Sequence, residues 1–354
     1  MIIPESIYGL IQLAVSILTG LYIFVFCIKS FSVITKNINS IKELKGNNKS
    51  VSIFVSALLL GLTIMVRTTV PPVITTIKIT FENKLFLFTD IVSLLLRIIS
   101  FYITASAFAF IIIWLAVKLF VLFTQDIDEI AEIRDGNSAI SVILASLIVA
   151  ISLILSTPLK ILLKGIATFA KNSGGEYYEP IINTGIFIEG LISTGLAIFG
   201  SIMIFYLSFK FFTFLTKNAG DLSELKKNNN SIAVLISGFI FSIMIIVRAA
   251  IAPAQNIISA YFVSQNNDIS HLMFVFSIIL SFFVIGGLFS FVVLWSSMNI
   301  FFLISRSSVE IDSILKKNLA VSIVLTFLIV SLSLLLEGSI TTILNGIATV
   351  LKLI

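Results

Sequence analysis

Self-similarity constrains this chain more than any single residue in it. Displaced by 181 residues, Lys36 to Pro72 lies on Lys217 to Pro253 without a gap and with 13 of 37 positions identical. A fixed period of this kind is the signature of a repeat architecture. The same displacement lays Gly165-Ile166-Ala167-Thr168 on Gly346-Ile347-Ala348-Thr349 and Trp114 on Trp295. Each half is double in turn: a displacement of 89 lays Ile41-Lys42-Glu43-Leu44-Lys45 on Ile130-Ala131-Glu132-Ile133-Arg134 and Asn48 on Asn137. Steps of 92 and 89 lead on to Asn229 and Asn318. The chain therefore divides into a first half, 1–178, with repeats 1–89 and 90–178, and a second half, 179–354, with repeats 179–270 and 271–354. Each unit reads as a long apolar helix ending near Lys29, Lys118, Lys210 or Asn299, a charged linker closed by asparagine, and a second apolar helix.

The composition says what surrounds those helices. Apolar residues make up 58% and charged residues only 12% of the chain, far from the balance of soluble domains. A hydrocarbon core about 30 Å thick takes about 20 helical residues, and eight runs qualify: 7–29, 51–71, 95–118, 138–158, 185–210, 231–252, 271–296 and 319–337. The runs are continuous rather than alternating, which points to helices and not barrel strands. The expected fold is an all-α polytopic membrane protein of about eight transmembrane helices in four parallel two-helix repeats. The first run is not expected to be a cleaved signal peptide, since no basic region precedes it and its repeat partners lie deep in the chain.

Orientation follows from charge. The intra-repeat linkers and their flanks hold 14 of the 23 Lys and Arg residues, so the positive-inside rule places the linkers in the cytoplasm and both termini outside, with the plasma (inner) membrane the expected location. Trp114 and Trp295, each four residues before the cytoplasmic end of its helix, suit an interfacial belt. On this reading the net charge of +5 reflects topology. No basic patch is interleaved with aromatics, so nucleic acid is not an expected partner. Cys27, the lone cysteine, excludes an intramolecular disulfide. The segments after the second helices, Pro72 to Ile79, Pro158 to Phe169, Pro253 to Phe262 and Ile340 to Leu351, admit two readings: amphipathic helices on the outer face, or extensions of the spans.

The clearest local pattern lies in the linkers: Glu43-Leu-Lys-Gly-Asn-Asn48, Glu132-Ile-Arg-Asp-Gly136-Asn137, Glu224-Leu-Lys-Lys-Asn-Asn229 and Ser313-Ile-Leu-Lys-Lys-Asn318. An asparagine ahead of an apolar run is what a helix start asks for, because its carbonyl oxygen accepts from orphan backbone amides. The alternative is a docking surface for a soluble cytoplasmic partner. Gly136-Asn137-Ser138-Ala139, with Asn318-Leu319-Ala320 in part, resembles the bacterial membrane family catalogued as domain of unknown function 350, whose units come in pairs and place Gly-Asn-x-Ala before a long apolar helix. Ser50 and Ser231 stand where that pattern has alanine, and Asn47 and Asn228 where it has glycine. The resemblance covers nearly the whole chain as two tandem family domains, and it implies a fold without an activity.

Charged residues near the spans supply the remaining candidates. Arg67, Ser156, Arg248 and Glu337 each follow their linker asparagine by 19 residues, roughly 28 Å along a helix. Tyr8, Arg97, Glu189 and Ile278 are equivalent in the first helices. Intramembrane charges are costly and face a partner or a water-filled cavity. Arg67, Arg97, Glu189, Arg248 and Glu337 are therefore candidates for a polar mouth, or for ion pairs that hold helices together. Arginines so near a helix end can also snorkel to the headgroups. Catalytic, cofactor and metal sites are not expected: His271 is the only histidine, and no phosphate-cradling glycine loop or zinc-protease motif occurs. Gly174-Gly175-Glu176-Tyr177-Tyr178 reads as a turn with interfacial tyrosines, and Gly286-Gly287 as a site of close helix packing. The chain is thus not expected to be an enzyme. Two classes of function stand: a channel or transporter for ions or small solutes, and a membrane scaffold or anchor that docks soluble partners through its linkers. A homo-oligomer suits either.

Overall fold

The computed structural model describes residues 5–35, 38–82, 87–124, 128–166, 168–171, 178–181, 183–215, 223–263, 269–305 and 317–350. Each unit opens with a long helix: α1 (Glu5–Ile34), α5 (Phe88–Phe123), α8 (Thr184–Leu215) and α11 (Ile269–Ser305). Short linker helices follow in the first three units, α2 (Ser40–Lys45), α6 (Glu129–Arg134) and α9 (Ser223–Lys226). The second long helices are α3 (Lys49–Val66), continued by α4 (Val70–Glu82), then α7 (Ser138–Ile166), α10 (Asn230–Val263) and α12 (Leu319–Val350). Eight helical stretches of 29 to 35 residues are long and apolar enough to cross a membrane, so the chain is an integral membrane protein with eight spans. The expected all-α architecture is the one observed. A short antiparallel hairpin, β1 (Thr168–Lys171) with β2 (Tyr178–Ile181), joins the two halves.

The second helices lie side by side in chain order, α3 on α7, α7 on α10 and α10 on α12. The first helices form another layer over this row. From α5 onward, each packs against the second helix of its own unit and that of the unit before: α5 on α7 and α3, α8 on α10 and α7, α11 on α12 and α10. Such stacking is how a repeat that cannot bury its apolar face alone builds a continuous core. Phe54, Phe101, Phe205, Phe239, Phe282 and Phe283 are all fully or almost fully buried within it.

The segments after the second helices continue the spans. Helices α7, α10 and α12 run on without a break, past Pro158 in α7 and Pro253 in α10. In the first unit a 3-10 turn, Arg67–Thr69, separates α3 from α4. Pro71 and Pro72 stand together there, removing two backbone donors where the other units remove at most one. In the first turn of α4 those missing donors cost little. The segment from Pro158 does not stay helical to Phe169: Thr168 and Phe169 belong to β1. Of the loop between the halves, Tyr178 opens β2, while Gly174 to Tyr177 lie outside the described residues. So do Lys36, Lys217, Arg306, Ser313 and Lys316 of the linkers.

Glycines set the closest helix approaches. A Cβ on Gly190 would lie 2.6 Å from Leu162 Cα, and one on Gly165 would lie 2.8 Å from Phe187 N. Both contacts are with backbone across the seam between α7 and α8, where nothing can give way. A Cβ on Gly287 would lie 2.8 Å from the flexible end of Met203, and one on Gly286 would lie 3.4 Å from Ala250 Cβ. Trp114 and Trp295 are exposed near the linker ends of α5 and α11, and Lys118 Nζ lies 5.7 Å from the Trp114 ring centroid.

Candidate functional site

The described parts of the four linkers gather on one side of the helix row. In every unit the residue before the linker asparagine has positive φ: Asn47 (60°), Gly136 (91°), Asn228 (53°) and Lys317 (67°). Glycine and asparagine enter this left-handed region most readily, which gives the glycine of the Gly-Asn-x-Ala pattern its physical basis. The turn delivers the asparagine to the helix start. Asn48 Oδ1 accepts from Val51 N at 3.1 Å, Asn137 Oδ1 from Ala139 N at 3.1 Å, Asn229 Oδ1 from Ser231 N at 3.2 Å, and Asn318 Oδ1 from Val321 N at 3.4 Å. All four asparagines therefore cap their helices as expected.

In the first two units the other end of the carboxamide does what the sequence did not reveal. Asn48 Nδ2 donates to Glu43 Oε2 (3.1 Å) in its own unit and to the Arg134 carbonyl (2.8 Å) in the next. Asn137 Nδ2 repeats this with Glu132 Oε2 (2.8 Å) and the Leu225 carbonyl (2.8 Å). In the third unit Glu224 is bonded by Asn229 and by Lys227, the latter at 2.5 Å, and these contacts hold its carboxyl below the ordinary range, the lysine most of all. Further bonds tie the units together: Ser50 Oγ to the Asn137 carbonyl (2.8 Å), Ala139 N to Asn228 Oδ1 (3.1 Å) and Lys317 Nζ to the Lys227 carbonyl (2.9 Å). The linkers thus form one hydrogen-bonded strip across the four units. Glu129, by contrast, is buried at the start of α6 against Thr124, whose hydroxyl donates to it, and burial pushes its carboxyl up.

Near the opposite helix ends, Arg67 and Arg248 are exposed, while Arg97, Glu189 and Glu337 are half-buried. Glu189 accepts from the Ser259 hydroxyl of α10. Among the described residues no ion pair joins any two of Arg67, Glu189, Arg248 and Glu337. Tyr8, equivalent to Glu189, is buried with Lys78 Nζ 5.5 Å from its ring centroid. An open groove of about 480 Å³ runs along the second-helix row, where Ser52, Ser56 and Leu60 of α3 face Val149 of α7 and Ser237 and Phe241 of α10. Among the described residues no three His, Cys, Asp or Glu side chains come together as a metal site would need.

The position before each capping asparagine was open to inspection in the sequence, since Asn47, Gly136 and Asn228 are all residues that tolerate positive φ. The contacts between units carried no such local sign. The family model described as Domain of Unknown Function (DUF350) matches residues 90–165 and 186–340, well over half of the chain. No curated protein and no solved structure matches the chain.

Proposed function

The chain belongs to the Domain of Unknown Function (DUF350) family, and from that premise we propose that it is a membrane scaffold whose linker strip docks soluble partners. The strip's continuity carries this reading: Asn48 and Asn137 each bind the next unit's backbone and Lys317 binds the Lys227 carbonyl, so the described parts of the four linkers are held in fixed register. A docking platform needs such rigidity. On the positive-inside argument the strip faces the cytoplasm of a bacterium, from its plasma (inner) membrane. Conduction or transport is the second reading, favoured by the groove that Ser52, Ser56 and Ser237 help to line and by exposed Arg67, just past α3, and exposed Arg248, further along α10, towards the helix ends away from the linkers. Against it weighs an interior filled by phenylalanine and branched aliphatic side chains.

One pair of measurements separates the two. Photo-crosslinkers replacing exposed Lys45 and Lys226 in intact cells are expected to capture a discrete soluble protein that probes at exposed Lys160 and Lys164, on the opposite side, do not. The purified partner should then bind the protein in liposomes and lose that binding when both lysines become glutamate. If linker probes capture nothing specific, and the liposomes pass ions with a selectivity altered by joint neutralisation of Arg67, Arg248 and Glu337, the scaffold reading gives way to conduction. Labelling of Lys45→Cys from outside intact cells would overturn the orientation.

A further inference from the structure

The two ends of the helix row are complementary halves of the contact that joins the units inside the chain. Only 17% of the α1 span and 22% of the α12 span are buried, against 44–83% in the other six. The reason lies in the stacking: among the described residues α1 packs mainly within its own unit, on α2, α3 and α4, and α12 packs mainly on α10 and α11.

The residues that make the internal contact recur at both ends with nothing to touch. At the seam between the halves, Gly165 of α7 meets Phe187 of α8 and Gly190 of α8 meets Leu162 of α7. The displacement of 181 carries Gly165 to Gly346 and Gly190 back to Gly9. Both glycines are present, and a Cβ on either would meet nothing within 4 Å. The second-helix row tells the same story. The Thr326 hydroxyl donates to the Val234 carbonyl at 3.0 Å and Ser237 to Val142 at 3.4 Å, each eight residues past its asparagine and each reaching the preceding unit. Ser56 is the corresponding hydroxyl of the first unit, and among the described residues it makes no hydrogen bond. Thr326 also packs on Gly238, whose counterpart in the last unit is Phe327, 67% exposed.

We propose that copies of this chain associate head to tail in the membrane, α12 of one copy entering the space beside α1 and α3 of the next. The register is that of the internal seam: Gly9 against Ile343, Gly346 against Ser6, and Ser56 beside Phe327. Close approach of small residues is what drives helix association in lipid. Contact between unlike surfaces yields a ring where the rotation closes and an open row where it does not. The inference is independent of what the linkers dock.

Cysteine crosslinking in native membranes tests it, in a background with buried Cys27 replaced by alanine. Two differently tagged chains, one carrying Ser56→Cys and the other Phe327→Cys, are expected to form a disulfide-linked heterodimer on oxidation; so are Gly9→Cys and Ile343→Cys. One chain carrying both Ser56→Cys and Phe327→Cys should give a ladder of multimers. Each single variant expressed alone should stay monomeric, and Gly346→Leu should abolish the ladder. Ser242→Cys with Ser333→Cys, whose hydroxyl oxygens lie 2.5 Å apart within one chain, is the control for folding and oxidation. If that control closes while neither pair links two chains, head-to-tail association is wrong. It is equally wrong if the double variant closes within a single chain, or if single variants dimerise with themselves.

Discussion

The linker asparagines share one local role and differ in what surrounds them, so their substitution separates capping from inter-unit bonding. Asn137 and Asn229 are 6% and 0% exposed, whereas Asn318 is open to solvent. Losing a cap costs about 1 kcal/mol, and leaving the Leu225 carbonyl without its donor adds about 1 to 3 kcal/mol. Asn137→Ala is therefore expected to destabilise the protein by about 2 to 4 kcal/mol, and Asn318→Ala by about 1 kcal/mol. Thermal unfolding in detergent checks this, and equal losses would show that the inter-unit bond contributes nothing. Glu129 makes a different prediction. Burial raises its folded pKa, so the folded state holds its proton more tightly than the unfolded chain. Its contribution is then fully present below the unfolded pKa and declines as pH rises through the folded one. Glu129→Gln keeps an acceptor for the Thr124 hydroxyl and removes the charge. The variant should match the parent in acid, exceed it in stability at neutral pH and above, and show a flatter Tm profile against pH. Glu224, held ionised by Lys227 and Asn229, has the opposite sign: its contribution is present above the unfolded pKa and lost as pH falls through the folded one.

At the scale of the helices, the tightest contacts are with backbone, which fixes the outcome of glycine substitutions. Gly190→Ala places a methyl 2.6 Å from Leu162 Cα, and overpacking of this kind costs about 1 to 3 kcal/mol or more. Gly195 lies in the same helix with nothing within 4 Å of its would-be Cβ. Gly195→Ala should therefore be neutral or stabilise α8 by up to about 1 kcal/mol through helix propensity. Comparable destabilisation by both changes, read from unfolding midpoints, would count against the seam as drawn. The helices themselves were legible because a bilayer admits few alternatives: each apolar run had to satisfy its backbone internally, and Asn48, Asn137, Asn229 and Asn318 marked where four of them begin. The segments after the second helices were ambiguous because proline ends most soluble helices, yet here the helix continues through both Pro158 and Pro253. The carboxamide bonds to Arg134 and Leu225 were not legible. Capping is a relation between near neighbours in sequence, whereas these acceptors are backbone carbonyls 86 and 88 residues away that no side chain advertises. The five charged residues at the helix ends away from the linkers share a depth along the helices, and depth alone does not say which side chains face one another.

For the whole molecule, the described residues form a row in which each unit meets its neighbours, so the covalent joint between the halves should matter less than the seam beside it. The hairpin of β1 and β2 is four residues a side. The seam beside it combines Gly165 on Phe187, Gly190 on Leu162, and the Asn183 amide donating to the Gly165 carbonyl at 2.9 Å. On the linker side the Asn137 bond to Leu225 crosses the same boundary. Stability in such proteins is approximately a sum of unit terms and nearest-neighbour interfaces, and a cut in the loop leaves these contacts available. Residues 1–174 and 175–354, co-expressed as separate chains with one tag, are expected to insert and to copurify in near-equal amounts. Gly190→Leu in the second piece should reduce recovery of the first severely, whereas Gly195→Leu, facing open space, should not. Failure of the unmodified halves to copurify, with each present in the membrane, would mean that the hairpin and not the seam holds the row together.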